Sequence, residues 1–234
     1  MKEIKVFLPH ESTPCSYLPE QRSRSLYVDP RLELDQNDLT LLNQNGFRRS
    51  GRVVYRPECP GCNACTSVRI RVKDLRLSRN QKRILRKNRD LTLKVDLPLD
   101  MALHYPLYET YIQERHSDGD MYPADFEQFK GFLLETFGNS YFLSAYNDDK
   151  LIASLAFDRL DDGLSSVYCF FEPEESGRSP AMFLIMSLSQ LAAGLGLDYN
   201  YLGYYVPGCQ KMAYKTRFSP LERFVDSNWH DSHR

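Results

Sequence analysis

The segment between residues 201 and 218 concentrates the side chains best suited to chemistry. It reads Y-L-G-Y-Y-V-P-G-C-Q-K-M-A-Y-K-T-R-F, so tyrosines surround Gly203, a Pro-Gly turn follows, and no acid accompanies the cations Lys211, Lys215 and Arg217. Tyrosines offer flat amphipathic walls, and cations bind carboxylates through charge-assisted hydrogen bonds. The segment therefore predicts a site for an acidic group. The alternative is a buried aromatic strand followed by a solvated basic helix.

Three cysteines recur at every third position, in Cys59-Pro-Gly-Cys62-Asn-Ala-Cys65. Such a Cys-x2-Cys-x2-Cys run resembles iron–sulfur ligation more than a zinc finger, which usually separates its cysteine pairs. Cys15 is a candidate fourth ligand. We expect these four thiols to converge on one site that holds zinc or an iron–sulfur cluster. The alternative is a reduced, thiol-rich loop without metal.

The segment between Thr66 and Asp90 is strongly basic. Ten lysines or arginines against two aspartates give it a net charge of +8, which leaves −9 for the rest of a chain whose total is −1. An alternating V-R-I-R-V strand precedes a helix that Ser78 caps, and both present cations to a polyanion such as a nucleic acid. The alternative is a solvated charged face. The candidate phosphate contacts are Arg69, Arg71, Arg76, Arg79, Lys82, Arg83 and Arg86.

The whole chain has the composition of a globular protein. It has 234 residues, of which 42% are hydrophobic and 26% are charged. No apolar run is long enough to span a membrane, and Met1-Lys2-Glu3 does not open a signal peptide, so we expect a cytoplasmic protein. In that compartment six cysteines favour thiols or metal ligands over disulfides.

The elements that must position these residues fall into two regions. Residues 1–37 are predicted to be mostly irregular because prolines interrupt them. A short helix over 38–45, capped by Asp38, and a strand over 47–55 follow. We expect an N-terminal domain over 1–90 that carries the cysteines and the basic segment, and a second domain over 91–234.

The second domain has a regular order of elements. We expect a strand (91–97), two helices (100–116, 125–136), three strands (140–146, 150–159, 164–171), a helix (179–195), a strand (197–202), a short helix (208–215) and a strand (217–224). This order resembles the GCN5-type N-acetyltransferase fold, so the fold class is α+β. That fold implies acyl transfer to an amine. However, the segment from Glu172 to Ala181 carries three acids and one glycine, which makes a poor cradle for the pyrophosphate of coenzyme A.

Several short motifs in a fixed order resemble the arginyl/leucyl-tRNA–protein transferase family, in particular its bacterial leucine-using branch. The resemblance extends from about Cys15 to Phe224. It implies transfer of leucine from leucyl-tRNA to the α-amine of proteins that begin with Asp or Glu, which marks them for N-degron proteolysis. The motifs are Cys15-x-Tyr17, Phe47-Arg-Arg-Ser-Gly51, Tyr55-x-Pro57, the cysteine run with Val68-Arg-Ile-Arg71, Tyr111 through His116, Ser165-Ser-Val-Tyr168, Pro173, and Tyr201-x-Gly-Tyr-Tyr205 with Lys211-Met-x-Tyr-Lys215.

The resemblance also implies roles for individual residues, and no cofactor for catalysis. Tyr168, Tyr204 and Lys211 are the candidate catalytic residues. The acceptor protein is expected to bind Lys211, Lys215, Arg217 and Tyr205. The general base stays open between Glu172, His116 and a tyrosine acting through water.

Three other functions compete with leucyl transfer. Arginine is the alternative amino acid. An acetyltransferase that uses coenzyme A is disfavoured by the acidic loop. A metal-stapled RNA-binding protein without catalysis would explain the basic segment and the cysteines, but not the acyltransferase-like order of elements.

Overall fold

Small sheets and one helix form the N-terminal part of the protein. The structure is a computed structural model that describes residues 3–96 and 99–232 of the chain. A four-stranded sheet has the order β1-β4-β6-β5, and β2 pairs with β3 alone. The elements are β1 (Val6–Phe7), β2 (Thr13–Pro14), β3 (Arg22–Ser23), β4 (Ser25–Val28), α1 (Gln36–Gln44), β5 (Arg48–Ser50) and β6 (Val53–Pro57).

The prediction that residues 1–37 are mostly irregular holds for the described residues, because β1 to β4 have only two to four residues each. Two other predictions for this region need correction. The cap of α1 is Asp35 rather than Asp38, and each carboxylate accepts a hydrogen bond from the other residue's backbone N–H. The predicted strand over 47–55 is a hairpin that turns at Gly51, where φ is +59° and a Cβ would lie 2.1 Å from the Gly131 carbonyl oxygen.

An eight-stranded sheet with four helices forms the rest of the protein. Its elements are β7 (Thr66–Arg71), α2 (Arg79–Lys87), β8 (Thr92–Asp96), α3 (Met101–Arg115), α4 (Phe126–Phe129), β9 (Ser140–Asn147), β10 (Lys150–Arg159), β11 (Gly163–Phe171), α5 (Pro180–Gly194), β12 (Tyr199–Tyr205), β13 (Leu221–Val225) and β14 (Asn228–Asp231). The order in the sheet is β14-β13-β7-β12-β11-β10-β9-β8. Adjacent strands are antiparallel except β11 and β12, which are parallel.

The order from β8 to β13 is the predicted one, and the α+β class is confirmed. Differences are local: the second predicted helix is α4 followed by π-helical residues 130–134, the short helix is a 3₁₀ helix over Gln210–Arg217, and β14 was not predicted. Residue 97, at the end of the first predicted strand, lies outside the described residues. The division after residue 90 stays a prediction; β7, on its N-terminal side, lies between β13 and β12.

The core of the large sheet forms around α5. This helix is apolar on almost every side and packs against β10, β11 and β12. Leu184, Met186 and Leu188 are fully buried there. Among the described residues, no helix has the length and hydropathy to cross a membrane. A rigid, dry core therefore supports the two parallel strands that carry the site.

Candidate active site

A gap opens where β11 and β12 separate. The two strands pair only from Gly163–Tyr199 to Ser165–Tyr201. Beyond that point β11 stays paired with β10, while β12 stays paired with β7 as far as Tyr205. Because each strand keeps its outer neighbour, the inner edges of both are left free to bind side chains or a substrate.

Arg48, at the start of β5, enters this gap from the N-terminal sheet. Its Nη1 donates to the Ser165 hydroxyl at 2.9 Å, and its Nη2 donates to the Ser166 carbonyl oxygen. Gly203 leaves room for it, because a Cβ at that position would lie 3.0 Å from the Arg48 Cζ and Nε. The guanidinium thus binds β11 at the point where β12 has left.

Lys215 reaches the same place from the 3₁₀ helix after β12. Its Nζ donates to the Tyr204 carbonyl oxygen at 2.5 Å. Burial, and then the neighbouring positive charge of Arg48, lower the pKa of Lys215 to about 7. Burial likewise lowers the pKa of Arg48. Arg48 therefore bonds to β11 and Lys215 to β12, on either side of the gap.

In the described part of the chain, neither cation has an acidic hydrogen-bond partner. Among the described residues, no carboxylate lies within 4.0 Å of Arg48 or Lys215, although only 8% and 7% of these residues are exposed. The adjacent Arg49 differs, because it makes two 2.6 Å hydrogen bonds to the buried Asp158. Two buried positive charges with only neutral partners form a site suited to an anion.

Tyrosines border the gap on the side of β11. Tyr168 is partly exposed, and its ring contacts Tyr108, Tyr111 and Phe132. Burial, and then Tyr111, raise its pKa well above the usual value. A protonated phenol donates a hydrogen bond, so Tyr168 suits a catalytic role in which it faces a reacting carbonyl.

Tyr204 contributes its carbonyl rather than its phenol. Its hydroxyl donates to the carbonyl oxygens of Gly46 and Tyr55, at 2.9 and 3.1 Å, and is buried between them. Tyr204 was predicted to be a catalytic residue. Its contribution to the site is its backbone carbonyl oxygen, which accepts the hydrogen bond of Lys215. Tyr205 is partly exposed under the Arg223 guanidinium, which lies 5.0 Å from its ring centre.

Lys211 lies on the exposed surface near His116, which we call the rim of the site. Its side chain is 59% exposed and pairs with Asp118 at 3.0 Å. Arg217 is also exposed. His116 is close, with its Nε2 3.2 Å from the Tyr111 hydroxyl. Burial, and then Lys211, lower the pKa of His116, which favours the neutral base. Glu172 forms an ion pair with Lys150 at 3.4 Å.

The four predicted metal ligands line one cavity of about 510 Å³, which also reaches Tyr55 and Tyr204. However, no three His, Cys, Asp or Glu residues in the described part of the chain are arranged to hold a metal ion. The Cys59 thiol instead forms hydrogen bonds with the backbone of Arg24. Its Sγ accepts a bond from the Arg24 N–H and donates one to the Arg24 carbonyl oxygen. Burial, and then nearby thiols, raise the pKa of Cys65 to about 11. The thiols are close together, but their present geometry does not fit a metal centre.

The predicted phosphate contacts divide into two groups. Arg69 needs correction as a surface residue, because it is 7% exposed, forms an ion pair with Glu222 at 2.7 Å and contacts the rings of Tyr199 and Trp229. Arg71 is partly exposed and paired with Glu222, Asp74 and Asp231. The exposed members are Arg76, Arg79, Lys82, Arg83 and Arg86.

Sequence reasoning did not identify Arg48 as part of the site. The segment Phe47-Arg-Arg-Ser-Gly51 was one of the motifs of the family resemblance, but neither arginine was assigned a role. The pair of adjacent arginines after Phe47 could have indicated a site. Neighbouring residues of a strand point to opposite faces, and in the structure both arginines are buried. Their partners lie more than 100 residues away, which no local pattern reveals.

Known proteins resemble this chain over almost its whole length. Residues 13–83 and 103–225 match the family models described as arginine-tRNA-protein transferase, N terminus and C terminus. The aspartate/glutamate leucyltransferase of Acinetobacter baumannii (strain ATCC 17978) is 44% identical over 94% of this chain and 81% of its own. That of Saccharophagus degradans is 40% identical over 98% and 97%. The solved structure of L-PGS from Bacillus licheniformis is 11% identical over 76% of this chain and 55% of its own, with a TM-score of 0.47.

Proposed function

The chain belongs to the arginine-tRNA-protein transferase family, and we propose that it transfers leucine from leucyl-tRNA to the α-amine of proteins whose first residue is Asp or Glu. The observation that carries the proposal is the buried pair of cations in the gap between β11 and β12, which supplies an anion site in the middle of an acyltransferase-like sheet. The identity of 40–44% to bacterial aspartate/glutamate leucyltransferases supports leucine as the amino acid and acidic residues as acceptors.

The reaction needs little covalent help from the protein. The neutral α-amine attacks the ester carbonyl of the aminoacyl-tRNA, a C–N bond forms, and the C–O bond to the terminal ribose breaks. The ribose hydroxyl leaves with a proton, and the attacking nitrogen loses one. Catalysis therefore consists of positioning the two substrates, stabilising the oxyanion and removing that proton.

Residue roles follow from where the side chains lie. We assign the oxyanion contact to Tyr168, whose protonated phenol borders the gap. His116 is the best placed candidate for the base, because it is partly buried and neutral. We assign binding of the acceptor chain to Lys211 and Arg217, which are exposed, and to Tyr205, which is partly exposed.

We assign tRNA binding to the exposed face of α2 and the residues before it. The exposed cations there have few acidic partners, so they are available to phosphates. Arg69 is left out because its charge is already neutralised, and Arg71 would contribute only by exchanging carboxylate for phosphate. The proposed contacts are Arg76, Arg79, Lys82, Arg83 and Arg86, with Arg71 at their edge.

The setting of the reaction completes the proposal. A substrate carried by tRNA places the protein in the cytoplasm, and a new leucine at the N-terminus would mark the acceptor for N-degron proteolysis. No cofactor is assigned to catalysis. A zinc ion or iron–sulfur cluster on Cys15, Cys59, Cys62 and Cys65 would require these thiols to rearrange, and its role would be to hold the N-terminal loop.

Transfer can be tested with purified components. The protein is incubated with either leucyl-tRNA or arginyl-tRNA and a peptide that begins with Asp, and the mass of the peptide is followed. We expect a mass increase of one leucyl residue with leucyl-tRNA only. Arginine addition would support the alternative amino acid, and tRNA binding without any transfer would support the non-catalytic RNA-binding protein.

A further inference from the structure

Arg48 and Lys215 come together inside the protein, and in the described part of the chain no carboxylate bonds to either, although Asp158 acts on Arg48 through its charge. Arg48 donates its hydrogen bonds to Ser165 and Ser166 on β11, and Lys215 donates its bond to Tyr204 on β12. All of these partners are neutral oxygens. The pair therefore lies across the gap between the parallel strands, with one cation on each side.

Such an arrangement is costly for folding. Moving a charge out of water is unfavourable unless an opposite charge compensates for it, and a second like charge nearby adds repulsion. Arg49 shows that this chain is able to provide a buried carboxylate, since Asp158 holds it with two hydrogen bonds. The missing carboxylate beside Arg48 and Lys215 is most simply explained if a substrate supplies it.

We propose that Arg48 and Lys215 bind the side-chain carboxylate of the acceptor's first residue, and so determine the preference for Asp and Glu. This inference rests on the proposed transfer to acidic N-termini and names the residues that read the acid. A planar guanidinium offers two parallel N–H groups to a carboxylate, and an ammonium adds a third donor. The two cations together are thus able to satisfy both oxygens of one carboxylate.

We expect the acceptor to enter beside the partly exposed residues next to the gap. Tyr168, Cys169 and Tyr214 are partly exposed next to the gap. Tyr214 and Lys215 are consecutive, and the charge of Arg48 also acts on the Tyr214 hydroxyl. With its carboxylate on the two cations, the acceptor would keep its α-amine toward Tyr168, where the ester carbonyl is expected.

Lys211 is a weaker candidate for the same task. Its side chain is 59% exposed and already pairs with Asp118. Water and salt screen an exposed ion pair, so such a cation discriminates poorly between an acid and its neutral analogue. A buried site discriminates strongly, because the neutral analogue leaves both cations without compensation.

The test uses two peptides that differ only in the first residue, Asp or Asn, which have the same shape but differ in charge. The ratio of kcat/KM for the two peptides is measured with leucyl-tRNA for the wild type, Lys215→Met and Arg48→Met. We expect each variant to lower the Asp-to-Asn ratio about 10- to 100-fold, as befits one charge-assisted hydrogen bond. A ratio cancels any general loss through altered folding or tRNA binding, which affects both peptides alike.

Controls separate charge from position. Lys215→Arg keeps the positive charge and should retain more of the ratio than Lys215→Met. Lys94→Met removes an exposed lysine on β8, far from the gap in the sheet order, and should leave the ratio unchanged. If Lys211→Met lowers the ratio and Lys215→Met does not, the acid is read at the rim and the inference is wrong.

Binding of the same peptides by calorimetry, without tRNA, separates the two proposals. If the wild type binds the Asp peptide more tightly and Lys215→Met loses this preference, the carboxylate site stands even when no leucine is transferred. If the wild type transfers leucine but prefers the Asp peptide over the Asn peptide no more than Lys215→Met does, the carboxylate site is wrong and the proposed function stands.

Discussion

The protein keeps its cations in two very different environments, the exposed helix α2 and the gap between β11 and β12. On α2, Arg79, Lys82, Arg83 and Arg86 are all exposed. In the gap, Arg48 and Lys215 are buried and have only neutral partners. Solvated charges cost little and are screened by salt, whereas buried charges are costly and are felt strongly at short range.

This difference in environment matches two different tasks. A flexible, exposed row of cations suits a large polyanion, whose affinity comes from many weak phosphate contacts. A fixed, buried pair suits one small carboxylate, whose recognition depends on charge and position. The two regions are therefore expected to respond differently to substitution, salt and pH.

Arg49→Met should have the largest effect on stability, because it removes a buried cation that does have a partner. Asp158 would remain buried without its counter-charge, which typically costs about 3–5 kcal/mol. Urea unfolding followed by circular dichroism measures the free energy of unfolding. A loss below about 1 kcal/mol would mean that Asp158 is compensated by other groups, such as the Ser140 hydroxyl 2.6 Å away.

Lys215→Met should act in the opposite direction and stabilise the fold by about 1–4 kcal/mol at pH 6, because it removes a buried cation whose hydrogen-bond partner, the Tyr204 carbonyl oxygen, is neutral. Burial and Arg48 lower the pKa of Lys215 from 10.5 to about 7. The unfolded chain therefore keeps a proton that the folded protein releases between these pH values, and wild-type stability rises with pH across them. The advantage of the variant should be largest below pH 7 and disappear near pH 10.5. Unfolding curves of both proteins at several pH values measure it, and a destabilised variant at pH 6 would contradict the account.

The accuracy of the sequence predictions differs between the same two environments. The Ser78 cap and basic face of α2 follow from a local pattern, and the structure confirms both. Arg69 and Arg48 were not expected to be buried, because Glu222 and Ser165 lie far away in sequence and pack there only once the sheet has formed. The short strands β1 to β4 escaped prediction because two to four residues carry no readable alternation.

The double variant Arg79→Ala, Lys82→Ala should weaken tRNA binding in a salt-dependent manner. The slope of log K against log salt is negative, and each lost phosphate contact makes it less steep by about one unit. We therefore expect the slope of the double variant to be less steep by about two units. Filter binding at salt concentrations from about 50 to about 200 mM measures this slope, because the affinity for a polyanion changes strongly over this range. Lys94→Ala is the matched control. An unchanged slope in the double variant would place the tRNA surface elsewhere.

Lys211→Ala should have the smallest effect of the substitutions near the site. Its exposed ion pair with Asp118 contributes about 0–1 kcal/mol, so transfer to the Asp peptide should fall less than about fivefold. Steady-state kinetics at fixed leucyl-tRNA concentration measures the change. A decrease of tenfold or more would give the rim cation the main share in recognition.

The most direct test of the central claim is the titration of Lys215 itself by NMR, with lysine ¹³C-labelled at Cε and the resonance assigned by its absence in Lys215→Met. In the free protein we expect the midpoint near the pKa of about 7. A carboxylate in contact favours the charged ammonium, so a saturating Asp-initiated peptide should raise the midpoint by about one unit or more. The Asn-initiated peptide should leave it unchanged. A midpoint that neither peptide moves, or that both move equally, would contradict recognition of the acid by the buried pair.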